Sequence, residues 1–104
     1  MLEIKADFKV GDVVSFKLLS GEEWISKIQE ITEDSFIFKK PMGVQLTPQG
    51  LAFVPAIMTG GEIESVTILK SNIMAMCKSE AQANSQYIKA TTGLEVTSTG
   101  GLQL

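Results

Sequence analysis

Residues 11–28 read GDVVSFKLLSGEEWISKI. In the first half, apolar side chains recur at every second position, the period of a half-buried strand: Val14, Phe16 and Leu18. Ser20 and Gly21 then supply a turn, because glycine adopts a positive φ without steric cost. A second strand follows, with one face formed by Trp24, Ser26 and Ile28. The stretch therefore predicts a β-hairpin.

More strand segments follow the hairpin, separated by clusters of turn-forming residues. They comprise a third strand at 35–39, a long hairpin over 44–58, and two further strands at 64–69 and 73–77. Short strands separated by frequent turns are typical of a small antiparallel barrel or sandwich. We expect five strands in the barrel itself, with the apolar hairpin projecting from it and contacting a neighbouring subunit or a partner, since it would otherwise be an exposed apolar patch.

The chain changes character at Ser79. The sequence Ser79-Glu80-Ala81-Gln82 has the form of a capping box, in which the serine and glutamine side chains satisfy free amides at a helix start. We expect a helix over about 80–91, which could cover the open end of the barrel. Residues 94–104 are rich in Ser, Thr and Gly and are expected to form a flexible tail. A length of 104 residues fits one domain, here 1–93.

The composition argues against catalysis. The chain contains no histidine and no arginine, so the usual Ser-His or Cys-His nucleophile, the usual zinc ligands and bidentate phosphate clamps are missing. The net charge of −3 further argues against a broad basic surface for nucleic acid. We therefore expect a protein that is not an enzyme, with no cofactor and no metal.

The same sequence indicates a cytoplasmic protein. No apolar run approaches the roughly 20 residues needed to cross a bilayer, and the N-terminal residues lack the apolar core of a secretory signal. A lone cysteine, Cys77, allows no internal disulfide, which fits a reducing compartment. Because Cys77 lies in an apolar run, we expect it to be buried and inert.

Two separated segments, 21–38 and 66–76, resemble the two motifs of the Sm-like family, which includes the Hfq-type proteins. The first motif has a glycine, then aliphatic or small residues at set spacings, an aspartate-containing turn and an asparagine before an alternating strand. Its positions here are Gly21, Trp24, Ser26, Ile28, Ile31, Thr32 and Ser35. The second motif, a strand ending in a basic residue followed by a short strand, corresponds to VTILKSNIMAM at 66–76.

The resemblance implies an all-β fold: a small five-stranded, strongly bent antiparallel Sm-like barrel, here with a short C-terminal helix. It also implies a homo-oligomeric ring, pentamer to heptamer, because in the family the fourth strand of one subunit pairs with the fifth strand of the next. Such pairing satisfies the exposed backbone groups of edge strands. The partner implied by the resemblance is single-stranded RNA, bound near the pore without catalysis and without a membrane.

Carried over by position, the resemblance implies an RNA-binding site on two turns. Its residues are Asp34, Ser35, Lys70, Ser71 and Asn72, and we add Lys39, at a strand end, as a candidate phosphate contact. Three positions depart from the family pattern: Thr32 replaces the aspartate, Ser35 the asparagine and Glu33 the base-stacking residue. Serine lacks the donor-and-acceptor amide that reads a base edge.

Two alternatives stay open at this point. Lys70-Ser71-Asn72 is also a good tight turn on its own, and the pair Lys39-Lys40 is also typical of a solvated strand end. The departures and the acidic balance favour a homo-oligomeric structural or assembly module with no nucleic-acid ligand, whereas the two motifs favour an RNA-binding ring.

Overall fold

The computed structural model describes residues 7–60 and 64–92. These residues form six strands and one α-helix: β1 (Val13–Leu18), β2 (Glu23–Ile31), β3 (Ser35–Thr47), β4 (Gly50–Pro55), β5 (Ser65–Leu69), β6 (Ile73–Lys78) and α1 (Ala81–Thr92). The predicted all-β fold with a short C-terminal helix is therefore confirmed. The tail predicted at 94–104 lies outside the described residues.

Strand β3 is 13 residues long and is shared by three partners. One side pairs with β2, and the other side pairs with β5 through residues 35–39 and with β4 through residues 42–47. The hairpin predicted over 44–58 is thus continuous with the third strand. For this reason the sheet has six strands rather than the five that the sequence predicted.

The sheet is strongly curled, as predicted. Its order is β4-β3-β2-β1-β6, with β5 also beside β3, and all the pairs are antiparallel. Strands β5 and β6 therefore lie at opposite ends of this order, yet only a 3-10 turn, Lys70–Asn72, joins them. Three residues span at most about 10 Å, so the sheet has to roll up until its two ends approach each other.

The inside of the rolled sheet holds the main core. Its buried members come from β1, β2, β3 and β5 and include the apolar residues of the alternation predicted in 11–28: Val14, Phe16, Leu18, Trp24, Ile28, Phe36, Phe38 and Ile68. The Phe16 and Phe38 rings stack with their centroids 4.4 Å apart. Gly21 has a φ of +97°, as the predicted turn requires. The opening hairpin is therefore confirmed down to the side chains that it buries.

Helix α1 packs on the opposite face of the sheet. Tyr87 is buried there with Val13 and Ile25, whose side chains point away from the main core, and Ala83 and Ile88 pack around them. The helix therefore covers the outer face of the sheet, and the prediction that it covers the open end of the barrel is wrong. Inward and outward side chains alternate along β1 and β2, so both faces of these strands are buried.

The helix start also differs from the prediction. The Glu80 carboxylate accepts hydrogen bonds from the Gln82 and Ala83 amides, at 3.1 and 3.0 Å. The Ser79 hydroxyl is instead paired with the Ser15 hydroxyl at 2.7 Å. The cap is therefore Glu80, one residue later than the predicted capping box, and its charge also suits the positive end of the helix dipole.

A bend in β3 anchors the helix. Ile25 pairs with Met42 and Lys27 with Lys39, so Ser26 faces two residues, Lys40 and Pro41, which is a β-bulge. Lys40 has a φ of +50°, a conformation that costs a non-glycine residue on the order of 1–3 kcal/mol.

Two carbonyl groups exposed by this bulge receive hydrogen bonds from side chains. The Tyr87 hydroxyl lies 2.8 Å from both the Lys39 and the Lys40 carbonyl oxygens and shares its single proton between them. The Ser26 hydroxyl also donates to the Lys39 carbonyl oxygen, at 2.7 Å. These bonds hold the strained backbone in place and fix the helix on the sheet.

We predict that Tyr87→Phe lowers the free energy of unfolding by about 1–2 kcal/mol, because it removes a buried donor from two carbonyl groups. Urea denaturation at neutral pH measures this loss. Thr91→Val, which removes a hydroxyl that bonds to the helix's own Tyr87 carbonyl, is the matched control and should cost less. An equal loss in both variants would contradict the anchoring role of Tyr87.

The same side chain predicts a pH dependence. Burial raises the pKa of the Tyr87 hydroxyl above its ordinary value of 10.0, and nearby hydrogen-bonding groups, first among them the Ser26 hydroxyl, offset part of the effect. A raised folded-state pKa stabilises the fold fully below the unfolded value, and this contribution is lost as the pH rises through the folded value. The wild type should therefore lose its stability advantage over Tyr87→Phe above about pH 10.

Candidate nucleic-acid interface

The two turns singled out by the sequence lie side by side. The Lys70 amide donates to the Asp34 carbonyl oxygen at 2.8 Å, directly beyond the Ser35–Leu69 pair of β3 and β5. A third turn joins them, because the Leu19 amide donates to the Asn72 carbonyl oxygen at 3.0 Å. The structure therefore brings Asp34, Ser35 and Lys70 together at one end of the barrel, with Ser71 and Asn72 in the same turn as Lys70.

The β2–β3 turn is held by its own hydroxyl and carboxylate groups. The Ser35 hydroxyl donates to Asp34 Oδ1 at 3.1 Å, and the Thr32 hydroxyl lies 3.4 Å from the same oxygen. The Ser35 amide donates to the Thr32 hydroxyl oxygen at 3.0 Å. Ser35 is only 7% exposed. Its hydroxyl therefore serves the turn, and the groups that remain open to a ligand are those of its neighbours.

Lys70 is held above an aromatic ring. Its Nζ lies 5.3 Å from the centroid of Phe36, within the range of a cation–π contact. This contact restricts a long side chain and keeps its charge beside the turn junction. Ser71 and Asn72 are both exposed, so the Asn72 amide offers a donor and an acceptor to solvent. Together these residues present one cation and one amide on the same small surface.

Lys39 lies elsewhere. It is four residues along β3 from Ser35, about 13 Å at the usual strand rise, and it pairs with Lys27 of β2 and Ser65 of β5. Because Phe38 points into the main core, the neighbouring Lys39 side chain is on the outer face. The structure therefore does not group Lys39 with the other candidate residues.

Sequence reasoning missed two supporting residues. Thr32 appeared only as a departure from the family pattern, yet its hydroxyl links the Ser35 amide to the Asp34 carboxylate. Phe36 belongs to the main core and was not among the predicted site residues, and it also carries the Lys70 ammonium on its ring. The sequence signal for this contact was the position of Phe36 next to Ser35. Because Ser35 and Phe36 pair with the end of β5, the Phe36 ring lies close to Lys70, the residue that follows β5.

Cys77 also differs from its prediction. It is exposed on β6 and was expected to be buried. Strand β6 pairs with β1 on one side, and within residues 7–60 and 64–92 no strand covers its other side.

In the same part of the chain, no three His, Cys, Asp or Glu side chains cluster as metal ligands, and no helix has the length and apolar character needed to span a membrane.

We predict that Asp34→Ala loosens the turn junction. The change removes the acceptor for the Ser35 hydroxyl and should cost about 1 kcal/mol of unfolding free energy. Amide hydrogen exchange should become faster at Ser35 and Lys70. Glu33→Ala, at an exposed acidic residue of the same turn, is the control and should change exchange little; equal acceleration in both variants would refute the role of Asp34.

Comparison with known proteins shows similarity in structure but none in sequence. No protein-family model matches the chain, and no curated protein matches it in sequence. Similar solved structures include a heptameric archaeal Sm protein, with a TM-score of 0.47, 8% identity, and coverage of 68% of this chain and 90% of that one. The P. aerophilum SmAP1 heptamer is also similar, with a TM-score of 0.47, 8% identity, and coverage of 69% and 84%.

The fold itself follows from the strand pairing. A curled antiparallel sheet joins its ends through the Lys70–Asn72 turn, and the two motif segments lie on adjoining turns. Strands β4 and β5 pair with successive parts of β3 along one side. In this arrangement the described residues form one small, strongly bent antiparallel barrel.

Proposed function

We propose that this protein is a ring-forming Sm-like protein that binds single-stranded RNA without catalysis, at the junction of the β2–β3 and β5–β6 turns. The hydrogen bond from the Lys70 amide to the Asp34 carbonyl oxygen carries the proposal. It makes one surface of two turns that are far apart in sequence. In this role the Lys70 ammonium contacts a phosphate, and the exposed Asn72 amide contacts a base edge.

The sheet edges support assembly into a ring. Within the described residues, β5 pairs only with β3 and β6 only with β1, so each has one bare edge. Neither strand contains a proline, and each has an exposed apolar side chain, Leu69 at 55% and Met74 at 58%. Bare edges of this kind favour pairing with another chain, and head-to-tail pairing of β5 with β6 of the next copy satisfies every subunit when the ring closes.

A ring also changes the electrostatics of the site. In a single chain the positive charge of Lys70 lies beside the acidic Glu33 and Asp34, and the net charge is −3. Several copies around one axis would bring their Lys70 side chains together as a circle of positive charge, which raises the local potential for a polyanion. The proposed affinity for RNA thus depends on assembly and should be sensitive to salt.

We predict that wild-type protein binds a fluorescently labelled oligo-uridine or oligo-adenine at low salt and that Lys70→Ala binds more weakly. For single strands, each lost phosphate contact lowers the slope of log affinity against log salt by about 0.7. Fluorescence anisotropy over a series of salt concentrations measures both quantities. Lys9→Ala, at an exposed lysine outside the turn junction, is the matched control and should keep the wild-type slope.

Two results would count against the RNA-binding proposal. One is the absence of any anisotropy change at low salt with wild-type protein. The other is an equal loss of affinity in the Lys9 and Lys70 variants, which would indicate diffuse attraction between charges in place of a site.

A second candidate function is a structural or assembly module, and the β3–β4 hairpin favours it. Leu46 is 82% exposed and its pairing partner Leu51 is 59% exposed, both at the tip of the hairpin. Large apolar side chains grouped at one exposed end of a small domain are typical of a protein contact surface. We propose that in this role the hairpin contacts a neighbouring copy, and that the turn junction holds no nucleic acid.

We predict for this second candidate that the double variant Leu46→Ser, Leu51→Ser sediments as a smaller species than the wild type, while its thermal midpoint changes little. The side chains are exposed in the single chain, so their loss should not affect the core. Sedimentation velocity measures the change. Gln45→Ser, at an exposed polar position of the same strand, is the control, and an unchanged sedimentation coefficient in the double variant would contradict this function.

A further inference from the structure

Three lysines converge on the outer face of the sheet, away from the turn junction. Lys27 of β2 pairs directly with Lys39 of β3, and Lys40 follows in the bulge. We call Lys27, Lys39 and Lys40 the outer lysine cluster. The chain has nine lysines and no arginine, so a third of its side-chain cations lie in this one place although its net charge is negative.

The outer lysine cluster lines a small cavity at the C-terminal end of α1. The cavity has a volume of about 100 Å³, and Tyr87, Ile88, Thr91 and Thr92 complete its lining. No carboxylate is among the lining residues. At roughly 30 Å³ for each water molecule, the space suits a few waters or one tetrahedral oxyanion.

The helix end accounts for only one of the three cations. Lys40 Nζ donates to the Thr91 carbonyl oxygen at 3.0 Å, which satisfies a carbonyl at the negative end of the helix. Lys27 and Lys39 remain, and like charges placed directly opposite each other on two strands are destabilising. Among the described residues, the ion pair is Lys78 with Asp12, and it involves no member of the outer lysine cluster.

An anion between Lys27 and Lys39 would remove this repulsion. Its contacts would come from the two ammonium groups, because the Thr91 hydroxyl already donates to the Tyr87 carbonyl oxygen. Lys40, held by the helix end, adds a fixed positive charge at the wall of the cavity. Phosphate oxygens suit lysine donors, which act as point charges and form short, charge-assisted hydrogen bonds.

We propose that the outer lysine cluster is a phosphate-binding site, separate from the turn junction. The phosphate is either free or part of an RNA backbone, since both present the same oxygens. The site goes beyond the proposed function, because it lies about 13 Å along β3 from Ser35 and needs neither Lys70 nor Asn72.

The test is a titration of the full chain with inorganic phosphate at constant ionic strength, with chloride as the replaced anion. Two-dimensional amide NMR follows Lys40 and Thr91, which border the cavity. The wild type should show saturable shifts at millimolar phosphate. Lys27→Gln and Lys39→Gln, which remove the charge and keep a polar side chain one atom shorter, should each weaken binding about tenfold, the loss expected for one charge-assisted hydrogen bond.

Two control variants separate this site from other effects. Lys9→Gln and Lys70→Ala should both keep the wild-type phosphate shifts, so a failure of RNA binding at the turn junction leaves this test intact. Lys39→Gln should also leave the thermal midpoint at low salt unchanged or higher, because it relieves repulsion between Lys27 and Lys39. A lysine with a merely structural role would lower the midpoint.

Competition identifies the source of the phosphate. If an oligo-uridine displaces inorganic phosphate from the Lys40 and Thr91 signals, the site binds the RNA backbone; if it does not, the site binds free phosphate. Linear, unsaturable shifts in the wild type, or equal shifts in the wild type and in Lys39→Gln, would overturn the proposal.

Discussion

The bend in β3 at Lys40 and Pro41 is the constraint on which the rest of the structure depends. At the bulge opposite Ser26, which separates residues 35–39 from residues 42–47, β3 changes partner from β5 to β4. Proline has no amide donor and is tolerated in a sheet at a bulge. The strained Lys40 backbone persists because Tyr87 and Ser26 donate hydrogen bonds to the adjacent carbonyl groups.

The bend links the core to both candidate surfaces. On one side of it, residues 35–39 pair with β5, which places the Lys70 turn next to Asp34. On the other side, residues 42–47 extend into the hairpin with its exposed apolar end. At the bend itself, the carbonyl groups that fix the helix belong to two of the three clustered lysines. The bend in β3, which stabilises the fold, thus also determines where the clustered lysines and Lys70 lie.

Local patterns predicted the parts of the fold that depend on one strand or one turn. The alternation in 11–28 identified the buried face of β1 and β2, and Gly21 identified their turn. Resemblance of two distant segments predicted that their turns meet, which no local pattern could show. The role of Lys39 as a phosphate contact stays a prediction, and the structure places its side chain on the outer face of the sheet, about 13 Å along β3 from Ser35.

The remaining errors have tertiary causes. The third strand was predicted to end at residue 39, and only the pairing with β2 shows that Pro41 belongs to a bulge inside a longer strand. Ser79 has the form of a cap, yet its hydroxyl is paired with Ser15 of β1 and Glu80 caps the helix instead. Apolar neighbours suggested that Cys77 is buried, whereas it lies on an edge strand. The first two errors arose where a contact distant in sequence outweighed a local preference, and the third arose because, among the described residues, no strand covers the outer edge of β6.

The central claim is that the bare edges of β5 and β6 are sealed by further copies of the same chain. Native mass spectrometry of the full-length protein, without RNA and at neutral pH, tests this claim most directly. We predict a single closed species of five to seven times the 11.3 kDa mass of one chain. A spectrum containing only the 11.3 kDa chain at micromolar concentration would contradict the account.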